Sequence, residues 1–541
     1  MSESRAPSPS PAAVRVALRA IVIAYLIIGS MYAVATPPWQ VPDEPAHYNY
    51  VRHVALYGTL PELRPGDYPA AYLEEIKARR FAPELSIEPI RYESHQPPLY
   101  YILAAALYRA ASSLALPDLV VLRAFSVFLG ALTLLVAFQL IHALGPRDPV
   151  LALGASAFAA ALPMHVAMSA AVNNDTLAGL FVATIAWRLI PMTAGDWTPR
   201  RALGLGALLG LAFLTKMQSY VAFAMVATAL LWDLGYAQRW RPLGGWRRVA
   251  EVAVIVFGTA LLMALPWLLR NTHLYGLDDP LGLARHDRVV AGQLTTGEFL
   301  AQRGWPALVT SFVRTTFQSF WGVFGWMGVP MPPRVYQALG VLTLLAAFGL
   351  GLYAWRAHKR SRLPEAEGLQ VARDGSQATA SAHPDAWNLE PAASSQLASH
   401  PERRRATRGR VLLLVWMLGT GAGYLWWNTT YLQHQGRYLF PAIIPIGLAV
   451  TVGLREVYRR PPRHLLPALG LAAATFIAVG MALGDVPWFA VALTALTGGT
   501  VWAAQHLEGR WPDSALALTY ACLAALTLFA LHAYVIPYLT P

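Results

Sequence analysis

Apolar runs recur along the whole chain, many of them about 18 to 24 residues long, enough for an α-helix to span roughly 30 Å of hydrocarbon. Only 13% of the 541 residues are charged, whereas soluble globular proteins carry about 25%. So few charges cannot cover a water-facing surface. We therefore predict an all-α, polytopic membrane protein. The net charge of +12 then reports membrane topology rather than nucleic-acid binding.

Arginine placement predicts the orientation, because short cytoplasmic loops are rich in Lys and Arg. The basic loops at 200–201, 239–248 and 455–463 are expected inside. The turn at 173–175 and the loop that begins at Pro37 are then expected outside. We expect a bacterial cytoplasmic membrane, with the N-terminus inside and both the active site and the C-terminus outside.

Fourteen apolar segments are present. Loops predicted on opposite sides of the membrane must be separated by an odd number of crossings, and this parity requires that one segment does not cross. The segment from Pro97 to Ser113 is short and holds Arg109 and several tyrosines. We expect it to be a helix packed at the outer face. The 13 predicted crossings are 16–35, 120–143, 150–171, 176–192, 202–215, 220–236, 249–269, 335–355, 411–427, 439–458, 465–483, 488–504 and 515–536.

Three modules follow from this pattern. Residues 1–275 would form the catalytic membrane module, including a large outer loop at 37–117. Residues 276–334 would form a second outer loop with amphipathic helices, and residues 335–541 the C-terminal membrane helices. A cytoplasmic segment, 359–408, is rich in Ala, Ser, Glu, Pro and Arg, so it is predicted to be disordered.

The first outer loop opens with Pro42-Asp43-Glu44-Pro45-Ala46-His47. Carboxylates beside a bilayer are costly and tend to be functional. Asp43 could act as a general base that takes a proton from an attacking hydroxyl, with His47 close enough to bind substrate. A simple alternative is that Asp43 caps a helix and Glu44 lies in its first turn.

The same loop ends with Glu93-Ser94-His95-Gln96-Pro97-Pro98. Glu93, His95 and Gln96 are candidates to bind substrate, and Glu93 with His95 could hold a divalent metal or a phosphate. Two ligands make a weak metal signal, because a full site needs more. Interfacial polar residues are the alternative interpretation.

Further candidates follow on the other predicted outer turns. Asn174 and Asp175 begin a helix, where a capping role is the alternative. Lys216 opposes the charge trend of the outer loops, so it needs an anionic partner such as phosphate, unless it only snorkels to the interface. Arg270 is a second candidate phosphate ligand. The last candidates, Arg437 and Tyr438, lie in Gln435-Gly436-Arg437-Tyr438.

The acidic pair after the first helix, the Pro-Pro-Leu-Tyr-Tyr segment at 97–101 and the second-turn aspartate resemble the GT-C glycosyltransferase superfamily. That superfamily includes protein O-mannosyltransferases and lipid A aminoarabinose transferases. The early and late motifs, at 42–47 and 435–438, resemble an uncharacterised bacterial branch. The resemblance implies that Asp43 is the catalytic aspartate, that Asp175 is the second acidic residue, and that Lys216 is the family lysine. His95-Gln96 replaces the Glu-Lys of aminoarabinose transferases.

The expected function is transfer of one sugar, with inversion, from a polyprenyl-phosphate donor to a lipid, glycan or protein acceptor. Asp43 would be the base, while Glu44 and Asp175 position the acceptor or balance charge. Lys216, Arg270 and Arg437 would hold the leaving phosphate, and the segment 312–326 would line a groove for the lipid tail. The sequence assigns no particular cofactor, and a divalent metal is compatible with the site. The alternatives are a transporter or flippase of lipid-linked intermediates and a non-catalytic assembly partner.

Overall fold

The computed structural model describes residues 9–192, 196–232, 242–362, 399–507 and 511–541. The described chain is almost entirely helical. Local sequence explains where helices begin: Ser10 Oγ accepts a hydrogen bond from Ala13 N, and Pro11 occupies the first turn, where its missing N–H leaves no bond unmade.

The membrane and loop helices have the following bounds. They are α1 (Pro11–Ala35), α2 (Glu44–Tyr57), α3 (Ala70–Ala78), α4 (Leu99–Ser113), α5 (Asp118–Leu144), α6 (Pro149–Ala161), α7 (Pro163–Ser169), α8 (Asp175–Met192), α9 (Pro199–Phe213), α10 (Val221–Leu230), α11 (Pro242–Tyr275), α12 (Leu283–Val289), α13 (Thr296–Trp321), α14 (Pro333–Arg362), α15 (Ser399–Thr430), α16 (Ile443–Arg459), α17 (Leu465–Leu483), α18 (Trp488–His506), α19 (Trp511–Ala530) and α20 (Ile536–Leu539). Short 3₁₀ helices cover Tyr92–His95, Met217–Tyr220 and Gly436–Ala442, a π-helical turn covers Leu531–Val535, and strands β1 (Val323–Phe324) and β2 (Val329–Pro330) pair as a hairpin.

Nine helices of the described ranges are long and apolar enough to cross a membrane, and the bent pair α6–α7 makes a tenth. That pair bends by 69°, because Pro163 has no N–H to donate and its ring obstructs a continuing helix. The other three predicted crossings overlap α9, α10 and α18. The all-α, multi-pass architecture is confirmed, while the number of 13 crossings stays a prediction.

Helix α4 packs beside α2 and α5, and its exclusion from the crossing helices stays a prediction. Its first residue, Leu99, donates its backbone N–H to the carbonyl of Leu214 at the end of α9. Its other end connects through 114–117 to the start of α5, where Asp118 accepts a hydrogen bond from Tyr48 of the first loop at 2.9 Å. Both ends of α4 therefore lie on the same side of the bundle, as the parity argument requires.

Polar contacts join helix ends at this side, which we call the loop face. Arg123 of α5 donates to the carbonyl of Thr36, which follows α1, at 2.7 Å. Asn174 donates to the carbonyl of Thr215, which follows α9, at 3.0 Å. Arg80 of the first loop donates to the carbonyl of Thr540 near the C-terminus at 2.9 Å. The first loop, the next two turns and the C-terminus share this face, and its exposure outside the cell stays a prediction.

The predicted disordered segment, 359–408, is helical at both of its ends. Residues 363–398 lie outside the described residues. Residues 359–362 continue α14 and residues 399–408 begin α15. Composition was a poor guide at these edges, because a membrane helix that is stabilised by packing extends into flanking basic residues with good intrinsic helix propensity.

The second loop region, 276–334, contains α12, α13 and the hairpin. Helix α13 begins with a capping box, in which Thr295 and Glu298 satisfy each other's backbone N–H groups. Side chains four residues apart, Trp305, Val309 and Val313, are exposed on α13, whereas Trp321 is buried. The amphipathic character of the helices in this predicted outer loop stays a prediction.

Candidate active site

Asp43 precedes α2 with a φ of 69°, in the left-handed region that aspartate and asparagine tolerate better than most residues. Its side chain makes no capping hydrogen bond to α2. Instead the Tyr92 hydroxyl donates to Oδ1 at 2.8 Å, and Arg437 Nη2 donates to Oδ2 at 2.9 Å. The helix-cap interpretation of Asp43 is therefore wrong, because both carboxylate oxygens bond to side chains from other loops.

Gly436 brings the late motif to the site. Its N–H donates to Ser319 Oγ of α13 at 2.7 Å. A Cβ on this residue would lie 2.3 Å from the carbonyl oxygen of Thr316, so any larger residue would push the loop away from α13. Glycine is required here by close approach, and that approach aims the next residue at Asp43.

Arg437 is oriented by its own motif. Its Nε donates to Gln435 Oε1 at 2.6 Å, and its guanidinium lies 5.2 Å from the ring centre of Tyr438. The Tyr438 hydroxyl donates in turn to Gln433 Oε1 at 2.5 Å. Among the described residues, the hydrogen-bond contact of Arg437 Nη1 is with the weak acceptor Met168 Sδ, at 4.0 Å. Hydrogens on Nη1 therefore remain available to a stronger acceptor.

The surroundings of Asp43 keep it ionised. Burial alone would raise the pKa of its carboxyl, but Arg437, His47 and the Tyr92 hydroxyl together hold that pKa below its ordinary value. Burial and the neighbouring carboxylates raise the pKa of Tyr92 well above its ordinary value. Tyr92 therefore stays a hydrogen-bond donor to an Asp43 carboxylate at physiological pH.

A second ion pair lies on the adjacent turns. Lys216 Nζ is 2.7 Å from Asp175 Oδ1. Asp175 is the first residue of α8, and the N–H of its backbone donates to Asn173 Oδ1 at 3.1 Å. The predicted anionic partner of Lys216 is therefore present within the chain, as Asp175.

His47 lies close to both ion pairs, since the charges of Asp43, Asp175 and Lys216 all act on it. Its Nδ1 is 2.7 Å from the Tyr101 hydroxyl. Burial lowers the pKa of His47, and nearby carboxylates only partly oppose that shift. His47 is therefore neutral at physiological pH and has one ring nitrogen bonded to α4.

Glu44 does not share the site with Asp43, which corrects its predicted catalytic role. It is fully buried and paired with Arg123, whose Nε and Nη2 donate to its two oxygens at 2.7 and 2.6 Å. The backbone N–H of Val172 donates to Glu44 Oε1 at 3.1 Å. The first turn of α2 directs Glu44 into the packed helices, while Asp43 faces the other way. Glu44 therefore has a structural role, because its pairing with Arg123 connects α2 to α5 and to the end of α1.

The possible metal site at Glu93 and His95 is not formed. His95 Nδ1 bonds to the carbonyl of Tyr92 at 3.0 Å, and its ring packs against His286 with centroids 4.4 Å apart. Burial lowers the pKa of His95 to about 3, so the ring is neutral. Within the described residues no group of three or more His, Cys, Asp or Glu side chains is arranged to hold a metal.

Arg270 lies at the end of α11, away from Asp43. Its Nη2 donates to the carbonyls of Leu60 and Pro61 at 3.2 and 2.5 Å, and Nη1 donates to Asn271. These bonds hold the first loop against α11. Its predicted phosphate role is replaced by this structural one, because the guanidinium is directed at loop carbonyls.

Asn174 and Gln96 connect two turns of the loop face. Asn174 Nδ2 donates to Gln96 Oε1 at 3.3 Å, and the Gln96 carbonyl accepts from the Tyr50 hydroxyl at 3.2 Å. Both residues lie beside the ion pair of Asp175 and Lys216. Their role in binding substrate stays a prediction.

A cavity enters the bundle from this cluster, between α5, α7, α8, α15 and α16. Asp175, Arg437 and Ser219 form its polar end, and Met168, Val182, Trp416, Phe440 and Ile443 line the apolar part. Segment 312–326, predicted to line a tail groove, does not line this cavity. Phe312 packs against Tyr424 and His434 instead, and Trp321 packs against Phe158.

Sequence reasoning missed four residues with direct roles in this arrangement. Tyr92 and Gln435 sit inside the two motifs and were not singled out. Tyr101 was grouped with interfacial tyrosines, although its place in the Pro-Pro-Leu-Tyr-Tyr segment could have indicated it. Arg123 carried one usable signal, a lone cation in an apolar membrane helix, which needs a buried partner.

Solved structures provide distant likenesses. ArnT from Cupriavidus metallidurans bound to undecaprenyl phosphate is 14% identical with a TM-score of 0.47, over 97% of this chain and 77% of that one. The archaeal oligosaccharyltransferase AglB from Archaeoglobus fulgidus, in complex with an inhibitory peptide and a dolichol-phosphate, is 14% identical with a TM-score of 0.41, over 94% of this chain and 56% of that one. The chain therefore spans about half the length of that enzyme.

Curated proteins give no match to the chain. A family model described as "Predicted membrane protein (DUF2142)" matches residues 79–366. The match covers more than half of the chain and runs from the first loop, through the ion pair of Asp175 and Lys216, to the end of α14. The chain therefore belongs to the DUF2142 family of membrane proteins.

Proposed function

We propose that this protein is a GT-C-type glycosyltransferase that moves one sugar from a polyprenyl-phosphate donor to a hydroxyl acceptor at the loop face. The observation that carries the proposal is the position of Asp43. The backbone of Asp43 has a strained, positive φ, and its carboxylate does not cap its own helix. Instead the carboxylate accepts hydrogen bonds from Tyr92 and from Arg437, which is 394 residues further along the chain. Strain of this kind is typically kept at functional sites.

In the proposed reaction the acceptor oxygen attacks the anomeric carbon of the donor, and its proton passes to an Asp43 oxygen. The bond from the anomeric carbon to the phosphate oxygen breaks, and its electron pair leaves with polyprenyl phosphate. One direct displacement inverts the anomeric centre. The leaving phosphate gains negative charge as the bond breaks. Nearby cations therefore accelerate the reaction to the extent that they bind the transition state more strongly than the bound donor.

Arg437 and Lys216 are the cations we assign to that phosphate. Arg437 Nη1 faces the cavity beside Met168 with no strong acceptor among the described residues. Lys216 shares its charge with Asp175 and has further hydrogens to donate. When a phosphate takes part of the charge of Arg437, the pKa of Asp43 should rise and make it a better base. The apolar part of the cavity would receive the first isoprenyl units.

A transporter would place ionisable groups along a pathway through the membrane. In the described part of the chain the buried ion pairs lie at helix ends instead. Glu44 pairs with Arg123 at the loop face, and Arg455 pairs with Asp148 and Asp513 at the opposite face. This distribution favours a transferase that works at one face.

Undecaprenyl phosphate binding tests the assignment of Lys216. We expect Lys216→Met to weaken binding of this lipid to the full chain in nanodiscs by about tenfold or more, because a charge-assisted hydrogen bond is lost. Asp175→Asn should leave binding unchanged or tighter, since it frees Lys216. Lys77→Met, in α3 of the first loop, is the control. Equal affinity of Lys216→Met and wild type would refute the phosphate role.

A further inference from the structure

Four buried side-chain oxygens on the turns of the site have no hydrogen-bond partner among the described residues: Glu93 Oε2, Asn174 Oδ1, Asp175 Oδ1 and Thr176 Oγ1. Asp175 Oδ1 is ion-paired with Lys216, and Thr176 carries a hydroxyl that can donate. Glu93 and Asn174 therefore hold the two open oxygens that can only accept. Glu93 is 9% exposed and Asn174 is 0% exposed. Buried polar atoms in native proteins are nearly always satisfied, so a pair of open acceptors beside a reactive carboxylate indicates hydrogens that arrive with a ligand.

A hydrogen bond places the two residues on adjacent turns of the cluster. Gln96 follows Glu93 by three residues and accepts from Asn174 Nδ2 at 3.3 Å. The charge of Glu93 acts on His47 and on Tyr101, which are themselves 2.7 Å apart. Glu93 therefore lies near the neutral His47, and Asn174 lies on the adjoining turn, next to Asp175 in the chain.

Charge balance decides what chemistry fits. Asp43 pairs with Arg437 and Asp175 pairs with Lys216, whereas Glu93 forms no ion pair within the described ranges. A phosphate at neutral pH donates no hydrogen bond of use here and would be repelled by the Glu93 carboxylate. A ligand with several hydroxyl donors would satisfy both oxygens.

We propose that Glu93 and Asn174 form the sugar subsite, where their open oxygens accept hydrogen bonds from hydroxyl groups of the transferred sugar. This inference rests on the proposed function. It divides the site in two, with the cations holding the phosphate and the open acceptors orienting the sugar so that its anomeric carbon faces the acceptor hydroxyl near Asp43. Glu93 and Asn174 are thus residues that select the sugar.

Paired binding measurements test the subsite on the full chain in nanodiscs. The probes are undecaprenyl phosphate and the member of a panel of its glucose, mannose, galactose and N-acetylglucosamine conjugates that wild type binds most tightly. We expect Glu93→Ala and Asn174→Ala to weaken binding of the conjugate by about tenfold or more, because a site built for hydroxyls loses its contacts. Affinity for undecaprenyl phosphate should stay within about twofold.

Glu93→Gln guards against misfolding, since it keeps the size and one acceptor oxygen, and we expect it to weaken conjugate binding less than Glu93→Ala. Glu62→Gln, in the exposed pair with Arg64, is the matched control. If Glu93→Gln and Asn174→Ala both bound the conjugate normally, the proposed subsite would be overturned. Equal losses of affinity for both probes, or a wild type that prefers no conjugate, would overturn it as well. A wild type that binds no polyprenyl phosphate at all would instead refute the proposed function.

Discussion

Replacing Asp43 with Asn should lower the rate of sugar transfer by about 10² to 10⁴, the usual effect of losing a general base. The fold should survive, because asparagine also tolerates the left-handed φ of 69° at this position and still bonds to Tyr92 and Arg437. Donor binding should persist, since the phosphate ligands are other residues. The measurement is turnover by purified protein in proteoliposomes, with lipid donor extracted from cells that lack the protein.

Asp118→Asn is the matched control for this experiment. Asp118 is another loop-face aspartate that accepts a tyrosine hydroxyl, from Tyr48 at 2.9 Å, but it lies at the start of α5 away from Arg437. Its replacement should leave turnover within a few-fold of wild type. Near-normal turnover by Asp43→Asn would end the assignment of Asp43 as base.

Replacing Arg123 with Met should destabilise the folded protein by about 3 to 5 kcal/mol, the range observed when one partner of a buried ion pair is removed. The variant leaves the fully buried Glu44 carboxylate without its two strongest donors and frees the carbonyls of Ala33 and Thr36. We expect a lower midpoint of thermal unfolding in detergent, and loss of protein from the membrane fraction at the growth temperature.

A double variant separates charge from packing in the Arg123 experiment. Arg123→Met with Glu44→Gln removes both charges, so it should recover much of the lost stability. Arg64→Met breaks only the exposed pair with Glu62 and should change stability by at most about 1 kcal/mol. If Arg123→Met were as stable as wild type, the structural role that we give to Glu44 would be wrong.

Membrane helices were predictable because a hydrocarbon layer requires long apolar runs. The side of the membrane on which each helix ends was inferred from arginine-rich loops. The placement of α4 at the loop face was predicted from parity together with its short length, Arg109 and its tyrosines. The edges of 359–408 were misplaced, because helix ends in basic flanks depend on packing that composition does not report. The bend at Pro163 could be read from proline chemistry, although the prediction treated 150–171 as one segment.

The sequence placed several residues near the site, but it could not predict where their side chains point. Asp43 and Glu44 are adjacent in sequence, yet one faces the site and the other is buried against Arg123, which depends on the left-handed turn at Asp43. Arg437 was placed with the candidates by its motif, but its pairing with Asp43 required the approach of Gly436 to α13. Arg270 shows the opposite error. It was predicted to bind phosphate, but its guanidinium donates hydrogen bonds to loop carbonyls instead.

Mass spectrometry of lipids and glycans tests the central claim most directly, in cells that lack this protein and carry either the wild-type chain or Asp43→Asn. The account predicts that one glycosylated product disappears without the protein while a polyprenyl-phosphate sugar accumulates. The wild-type chain should restore the product and remove the accumulated donor, and Asp43→Asn should do neither. Restoration of the product by Asp43→Asn, or loss of the protein with no change in any polyprenyl-phosphate sugar, would contradict the account.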